Sequence, residues 1–145
     1  MKIEHTGLVV KDLDKQLTFY RDVLGLKVIR EGESIAPPGG DHTGINGVRR
    51  KLVFLGDDCG EHQLELVYYV DPASPPGNPL GQNQVGSIHL CFRTENLQNR
   101  YENLLQQGVR FLTPPRLTQG KRSCLCYAQD PEGNWIEFKE VLSGQ

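Results

Sequence analysis

The sequence repeats itself in outline, and that repeat limits its fold more than any single motif. The first half opens on an alternating stretch, residues 3 to 10, which predicts a strand with His5, Gly7 and Val9 on one face. Asp12 is placed to cap a helix whose apolar stripe is Leu13, Leu17, Tyr20 and Leu24, and Gly25 is placed to end it. Strands are expected from Leu26 to about Arg30, from Val48 to Leu55 and from His62 to Val70. The order recurs in the second half. A strand over Ser87 to Arg93 precedes a helix capped by Asn96, carrying Leu97, Tyr101, Leu104 and Leu105 and closed by Gly108. Strands at Val109 to Leu112 and Arg122 to Ala128 follow. The turn Asp130-Pro131-Glu132-Gly133-Asn134 then leads into a last strand that begins at Trp135.

Two stretches interrupt this pattern. Residues 33 to 47 hold Pro37, Pro38 and several glycines and are expected to form a long loop of the kind that covers or binds ligands. Residues 71 to 84 hold Pro72, Pro75, Pro76 and Pro79 and read as a proline-stiffened linker. The expectation is therefore one domain over 1–145, with module one at 1–72, the linker at 71–84 and module two at 85–141. A chain of this length buries about two-thirds of its unfolded surface and needs no disulfide staples.

A net charge of -2 and dispersed basic residues give no footprint for nucleic acid. The short run Arg49-Arg50-Lys51 is expected on a solvated face or strand edge. No apolar run approaches the ~20 residues of a membrane span, and no leader segment is visible. Cys59, Cys91, Cys124 and Cys126 lack Cys-x-x-Cys spacing and read as reduced thiols of a cytoplasmic protein, with Cys124 and Cys126 packed on one strand face.

Each half has one histidine in its first strand and one glutamate in its last. Glu65 follows His5 by 60 positions and Glu137 follows His89 by 48, the longer first-half loop accounting for most of the difference. All four residues take the phase opposite the main apolar residues of their strands. A carboxylate on such a strand is costly to desolvate without a partner, which can be water, a basic side chain or a cation. Two imidazoles and two carboxylates, if brought together, suit a divalent metal: Zn, Ni, Co, Mn or Fe. His42 is expected to be a solvated loop residue and His62 a structural one.

The segments His5-Thr6-Gly7-Leu8-Val9-Val10, Phe19-Tyr20, Leu24-Gly25-Leu26, Leu64-Glu65-Leu66, Gly86-Ser87-Ile88-His89-Leu90 and Asp130-Pro131-Glu132-Gly133-Asn134-Trp135-Ile136-Glu137 resemble the vicinal oxygen chelate superfamily. That group contains glyoxalase I, methylmalonyl-CoA epimerase, extradiol dioxygenases and bleomycin-resistance proteins. The resemblance covers nearly the whole chain. It implies an α+β fold of two βαβββ modules forming a cupped, open sheet around one divalent metal, with His5, Glu65, His89 and Glu137 as ligands. It also implies proton transfer next to a carbonyl, with Glu137 expected as the base and Glu65 as ligand and possible second base.

Four candidate ligands point toward the glyoxalase I and epimerase branches, acting on a small 2-oxo compound, thiol adduct or acyl thioester. Two alternatives compete: an Fe- or Mn-dependent extradiol-type dioxygenase with Glu65 a bystander, and a metal-free resistance protein that binds a drug or metabolite. A homodimer is expected from the resemblance. Asp41 and His42 stand nearest the place of an extra epimerase acid. Arg21, Arg49, Arg93 and Arg122 are the basic residues considered for a substrate carboxylate.

Overall fold

The computed structural model describes residues 1–142. The chain divides into two units, Met1–Gly77 and Asn78–Gln145.

The first unit runs β1 (His5–Val9), α1 (Leu13–Leu17), a π-helical turn (Thr18–Val23), β2 (Lys27–Ile35), β3 (Arg49–Gly56) and β4 (Gln63–Asp71). Its open sheet has the order β1-β4-β3-β2, with β1 parallel to β4 and the other pairs antiparallel. The register sets Leu55 opposite Leu64 and Val53 opposite Leu66, so one sheet face is continuously apolar. Those four side chains, with Val10 and Tyr20, are buried. Full burial of a leucine-sized side chain contributes roughly 1.5–3 kcal/mol, and this face holds the helix against the sheet.

The second unit runs β5 (His89–Arg93), α2 (Leu97–Gln106), β6 (Arg110–Phe111), β7 (Arg116–Leu117), β8 (Ser123–Gln129) and β9 (Trp135–Val141). Its order is β5-β9-β8-β6, with β5 parallel to β9 and β7 also paired to β8. Ile136 lies opposite Ala128 and Phe138 opposite Cys126, all four buried. The Glu140 carboxylate accepts from the backbone N–H groups of Asn96 (3.2 Å) and Leu97 (3.0 Å) at the start of α2. An acidic group there satisfies donors that the helix itself leaves open.

Both units are thus βαβββ in plan, as expected, but several local readings change. The first helix does not run as one α-helix to Leu24. It widens after Leu17, and the Leu24 N–H donates to the Phe19 carbonyl five residues back. The extra residue rotates the helix face, so Phe19 and Gln16 are buried while Leu13 and Leu17 are only half-buried. β2 continues to Ile35, five residues past its expected end, because β3 offers a ladder to that point. The first loop shrinks accordingly. The stretch 113–120, between the strands expected at Val109 to Leu112 and Arg122 to Ala128, contains β7. Pro114 and Pro115, lacking N–H donors, split into β6 and β7 what the first unit builds as the single strand β2.

Arg50 also departs from expectation. It is not on a solvated face: it is 7% exposed, and its Nη2 donates to Asp41 Oδ2 at 2.8 Å and to Ser34 Oγ at 3.1 Å. This pair ties the loop after β2 to the sheet.

Candidate metal centre

Alternation decides which side chains stand on the face opposite the core. On β1 these are His5, Gly7 and Val9. The parallel register puts Gly7 opposite Glu65, and the antiparallel one puts Phe54 opposite Glu65. His5 Nε2 consequently reaches Glu65 Oε2 at 3.4 Å. The Phe54 ring meets the His5 ring edge-on, with centroids 5.8 Å apart. The Arg30 guanidinium stacks over Phe54 at 3.8 Å, a cation beside the pair that sequence reasoning missed because only the β2–β3 register brings it there.

The second unit repeats the constellation. Cys91 lies opposite Glu137 and so does Tyr127. His89 Nε2 reaches Glu137 Oε2 at 3.0 Å, and the His89 and Tyr127 rings meet edge-on at 5.4 Å. Position by position, His5, Gly7, Phe54 and Glu65 correspond to His89, Cys91, Tyr127 and Glu137.

The correspondence is exact in register and unequal in chemistry. Tyr127 Oη donates to Glu137 Oε2 at 2.9 Å, a bond Phe54 cannot make. Cys91 sets a thiol in register with Glu137, whereas Gly7 carries no side chain. Burial, then the bond to Glu137 and its charge, push the Tyr127 phenol up to about 12. Burial, then Glu137, push the Cys91 thiol up. Glu137 is 8% exposed and stands among these donors.

The turn before β9 fixes where Glu137 falls. The Asp130 carboxylate is buried and accepts from the backbone N–H groups of Glu132 (2.9 Å) and Asn134 (2.8 Å) and from Asn134 Nδ2 (2.8 Å). Gly133 takes φ +92, the left-handed conformation glycine tolerates. Gln129 and Trp135 then pair, and Glu137 follows two residues later on the same face as Trp135. Trp135 Nε1 donates to the Leu80 carbonyl at 2.8 Å, tying the proline-rich stretch to this strand.

The four expected ligands are therefore found as two His–Glu pairs, one in each unit. Neither unit gathers three or more candidate ligands by itself among the described residues. Each pair fits a shared cation in its donor chemistry and spacing. Two ligand atoms about 2.1 Å from one ion, 90–110° apart, are about 3.0–3.4 Å from each other. His42 is exposed, and His62 Nε2 lies 2.9 Å from Thr6 Oγ1 on the opposite face of β1. Asp41 is held by Arg50 and Thr43. Of the basic candidates, Arg21 pairs with Asp22 and Arg49 with Glu33. Arg93 lies in register with Lys139 on the His89 face, and neither makes an ion pair among the described residues.

Residues 2–138 match the family model of the Glyoxalase/Bleomycin resistance protein/Dioxygenase superfamily. The chain belongs to this superfamily. It is 30% identical to the lactoylglutathione lyase of Haemophilus influenzae, over 99% of this chain and 95% of that protein. It is also 30% identical to the lactoylglutathione lyase of Schizosaccharomyces pombe, over 94% of the chain but only 46% of that protein, about half its length. The mitochondrial methylmalonyl-CoA epimerase of Bos taurus is 27% identical, over 97% of this chain and 74% of the epimerase. Among solved structures, a glyoxalase family protein from Bacillus cereus superposes with a TM-score of 0.87 at 19% identity, covering 99% and 95% of the two chains, a likeness of fold. Membership in the superfamily accounts for the doubled βαβββ plan. No helix of the described residues is long and apolar enough to cross a membrane.

Proposed function

We propose that this superfamily member is a divalent-metal-dependent lyase or isomerase of glyoxalase I type, moving a proton next to a carbonyl through an enediolate or enolate. The observation that carries this reading is the doubled His–Glu pair at matching register, with donor spacings of 3.4 and 3.0 Å. His5, Glu65, His89 and Glu137 would hold the ion, within one chain or across a homodimer. The ion, when bound, would supply Lewis acidity toward the substrate's carbonyl and stabilise negative charge on its oxygens.

The protein's own residues do the rest. Neutral imidazoles at His5 and His89 donate lone pairs, and the carboxylates of Glu65 and Glu137 supply charge and a base. A positioned base of this kind contributes typically 10²–10⁴-fold. Arg93 and Lys139 stand one alternation beyond Cys91 and Glu137 and would receive a carboxylate of the substrate. Like charges in register are unfavourable in a sheet, and a substrate anion would relieve that cost. The resemblance in sequence to lactoylglutathione lyases and to an acyl-CoA epimerase supports a small substrate, a 2-oxo compound, thiol adduct or acyl thioester.

The equivalent register positions of Glu65 and Glu137 favour four ligands over the three of the dioxygenase alternative. The test is a thermal-shift screen with Ni, Co, Zn and Mn, then an assay on the glutathione hemithioacetal of methylglyoxal and on acyl-CoA esters. Stabilisation by a metal, with turnover lost in Glu137→Gln and Glu65→Gln, supports the reading. A protein that gains no stability from any of these metals would overturn it. Oxygen uptake with a catechol and Fe(II) would shift the reading to the dioxygenase class.

A further inference from the structure

We propose that Tyr127 is a positioning residue that makes the two halves of the site unequal: it fixes Glu137 as a stationary ligand and leaves Glu65 as the carboxylate that moves the proton. This rests on the metal-dependent reading above and assigns the roles within it.

Glu137 Oε2 lies 3.0 Å from His89 Nε2 and accepts the Tyr127 hydroxyl at 2.9 Å. Its side chain is 11% exposed. Any rotation of that carboxylate breaks a charge-assisted bond in a place where water does not readily replace it, and such bonds are the stronger kind.

Glu65 has an emptier setting. His5 Nε2 is 3.4 Å away, and no side chain among the described residues donates a hydrogen bond to the Glu65 carboxylate as Tyr127 does to Glu137. Phe54, which replaces Tyr127, has no hydroxyl, and Gly7, which replaces Cys91, has no side chain. A Cβ built on Gly7 would meet only one atom within 4 Å, Glu65 Oε2 itself at 3.4 Å, so the space beside the carboxylate is open. A base must leave its resting contact, reach a carbon-bound proton and return. The first unit gives its glutamate that freedom, and the second withholds it. The family resemblance alone implied Glu137 as the base, and along the chain nothing else separates the two glutamates. The cross-strand partner of each is what separates them.

The step is redox-neutral. The Glu65 carboxylate takes the proton from C1 of a hemithioacetal. The C–H electron pair forms the C1–C2 double bond of an enediolate, and the carbonyl pair moves to O2. The same carboxyl group then returns the proton to C2. The hydroxyl proton passes from O1 to O2, and a thioester results.

The experiment compares the wild-type protein with Tyr127→Phe, and with a swap carrying both Tyr127→Phe and Phe54→Tyr. Each is paired in turn with Glu65→Gln and Glu137→Gln. Cobalt(II) affinity is measured by competition with a chromophoric chelator, the Co(II) absorption spectrum is recorded, and turnover of the glutathione–methylglyoxal hemithioacetal follows. Loss of a hydrogen bond to a ligand typically lowers metal affinity 10- to 100-fold. Tyr127→Phe is expected to weaken Co(II) by at least about 10-fold with an altered spectrum. In the wild-type background, Glu137→Gln should lose the metal, while Glu65→Gln should keep more of it and lose kcat. The swap should exchange these two phenotypes. Tyr127→Phe with wild-type Co(II) affinity and spectrum, in a protein that does bind Co(II), overturns the role of Tyr127 alone. So does a wild-type background in which Glu65→Gln loses the metal and Glu137→Gln keeps it. A wild-type protein that binds no Co(II) overturns the functional reading and this inference with it.

Discussion

Gly7 lies directly across from Glu65, and a Cβ at Gly7 would sit 3.4 Å from the Glu65 carboxylate. The backbone there is ordinary strand, so conformation does not require glycine and the carboxylate is the only constraint. Gly7→Ala should fold well and gain up to about 1 kcal/mol, since glycine in a strand interior costs roughly that much. Gly7→Val adds two methyl groups toward Glu65 and should displace it, weakening Co(II) binding. Chemical denaturation and chelator competition measure the two effects.

Arg93 and Lys139 give a second expectation. If they receive a substrate carboxylate, Arg93→Ala with Lys139→Ala should raise KM for the glutathione adduct about 10-fold or more, roughly 1.4 kcal/mol. kcat should change little, because the loss is one of binding common to ground and transition states. An adduct of a thiol without carboxylates should show no such rise. A KM equal in wild type and variant for both adducts would count against this assignment.

The Asp41–Arg50 pair makes a prediction about pH. Hydrogen bonds from the Thr43 hydroxyl and backbone N–H, then the charges of Arg50 and His42, hold the Asp41 carboxyl below its usual range. A depressed carboxyl contributes stability above its unfolded value, near 4, and that contribution is lost as pH falls through the depressed folded value. Asp41→Asn should lower Tm at pH 7 by leaving Arg50 buried without its counter-charge. The gap between wild type and variant should narrow only below about pH 4. Thermal melts between pH 2.5 and 7 test this.

The thiols should react in a fixed order. Burial, then Cys124 and the Glu137 charge, push Cys126 up to about 12, while Cys59 is exposed. Thiolate is the reactive form, so at pH 8 a disulfide reagent should label Cys59 first and Cys91 more slowly. Cys126 should react only on unfolding. Mass spectrometry of timed quenches gives the order.

Gln16 is the buried polar group most exposed to this kind of check. It is fully buried on α1, and neither its Oε1 nor its Nε2 has a partner among the described residues. Leaving such a group unsatisfied costs about 1–3 kcal/mol, so Gln16→Met, similar in shape, should stabilise the protein by about 1 kcal/mol. A loss of stability instead would mean that the amide is satisfied in solution by ordered water.

The helix and the loops show where a reading along the chain falls short. Of the expected stripe Leu13, Leu17, Tyr20 and Leu24, the last two are buried, but Gln16 and Phe19 are buried where Leu13 and Leu17 are only half-buried. Nothing local in the sequence marks the widened turn after Leu17. β2 runs on through Gly32 and Ser34, residues poor in strand propensity, because β3 supplies partners for them. Arg50, in a basic run typical of a solvated face, is buried because Asp41 folds back over it.

The repeat, the superfamily and the four candidate positions were legible in the amino-acid order, because alternation and turn residues act over a few neighbours. Pairing His5 with Glu65, and His89 with Glu137, took the parallel strand registers. The difference between the two glutamates also belongs to the tertiary structure. Tyr127 lies ten residues before Glu137 and Phe54 eleven before Glu65, and only the sheet ladder turns those separations into contact. A hydroxyl against a carboxylate is a relation between strands, and the order of residues along one strand does not contain it.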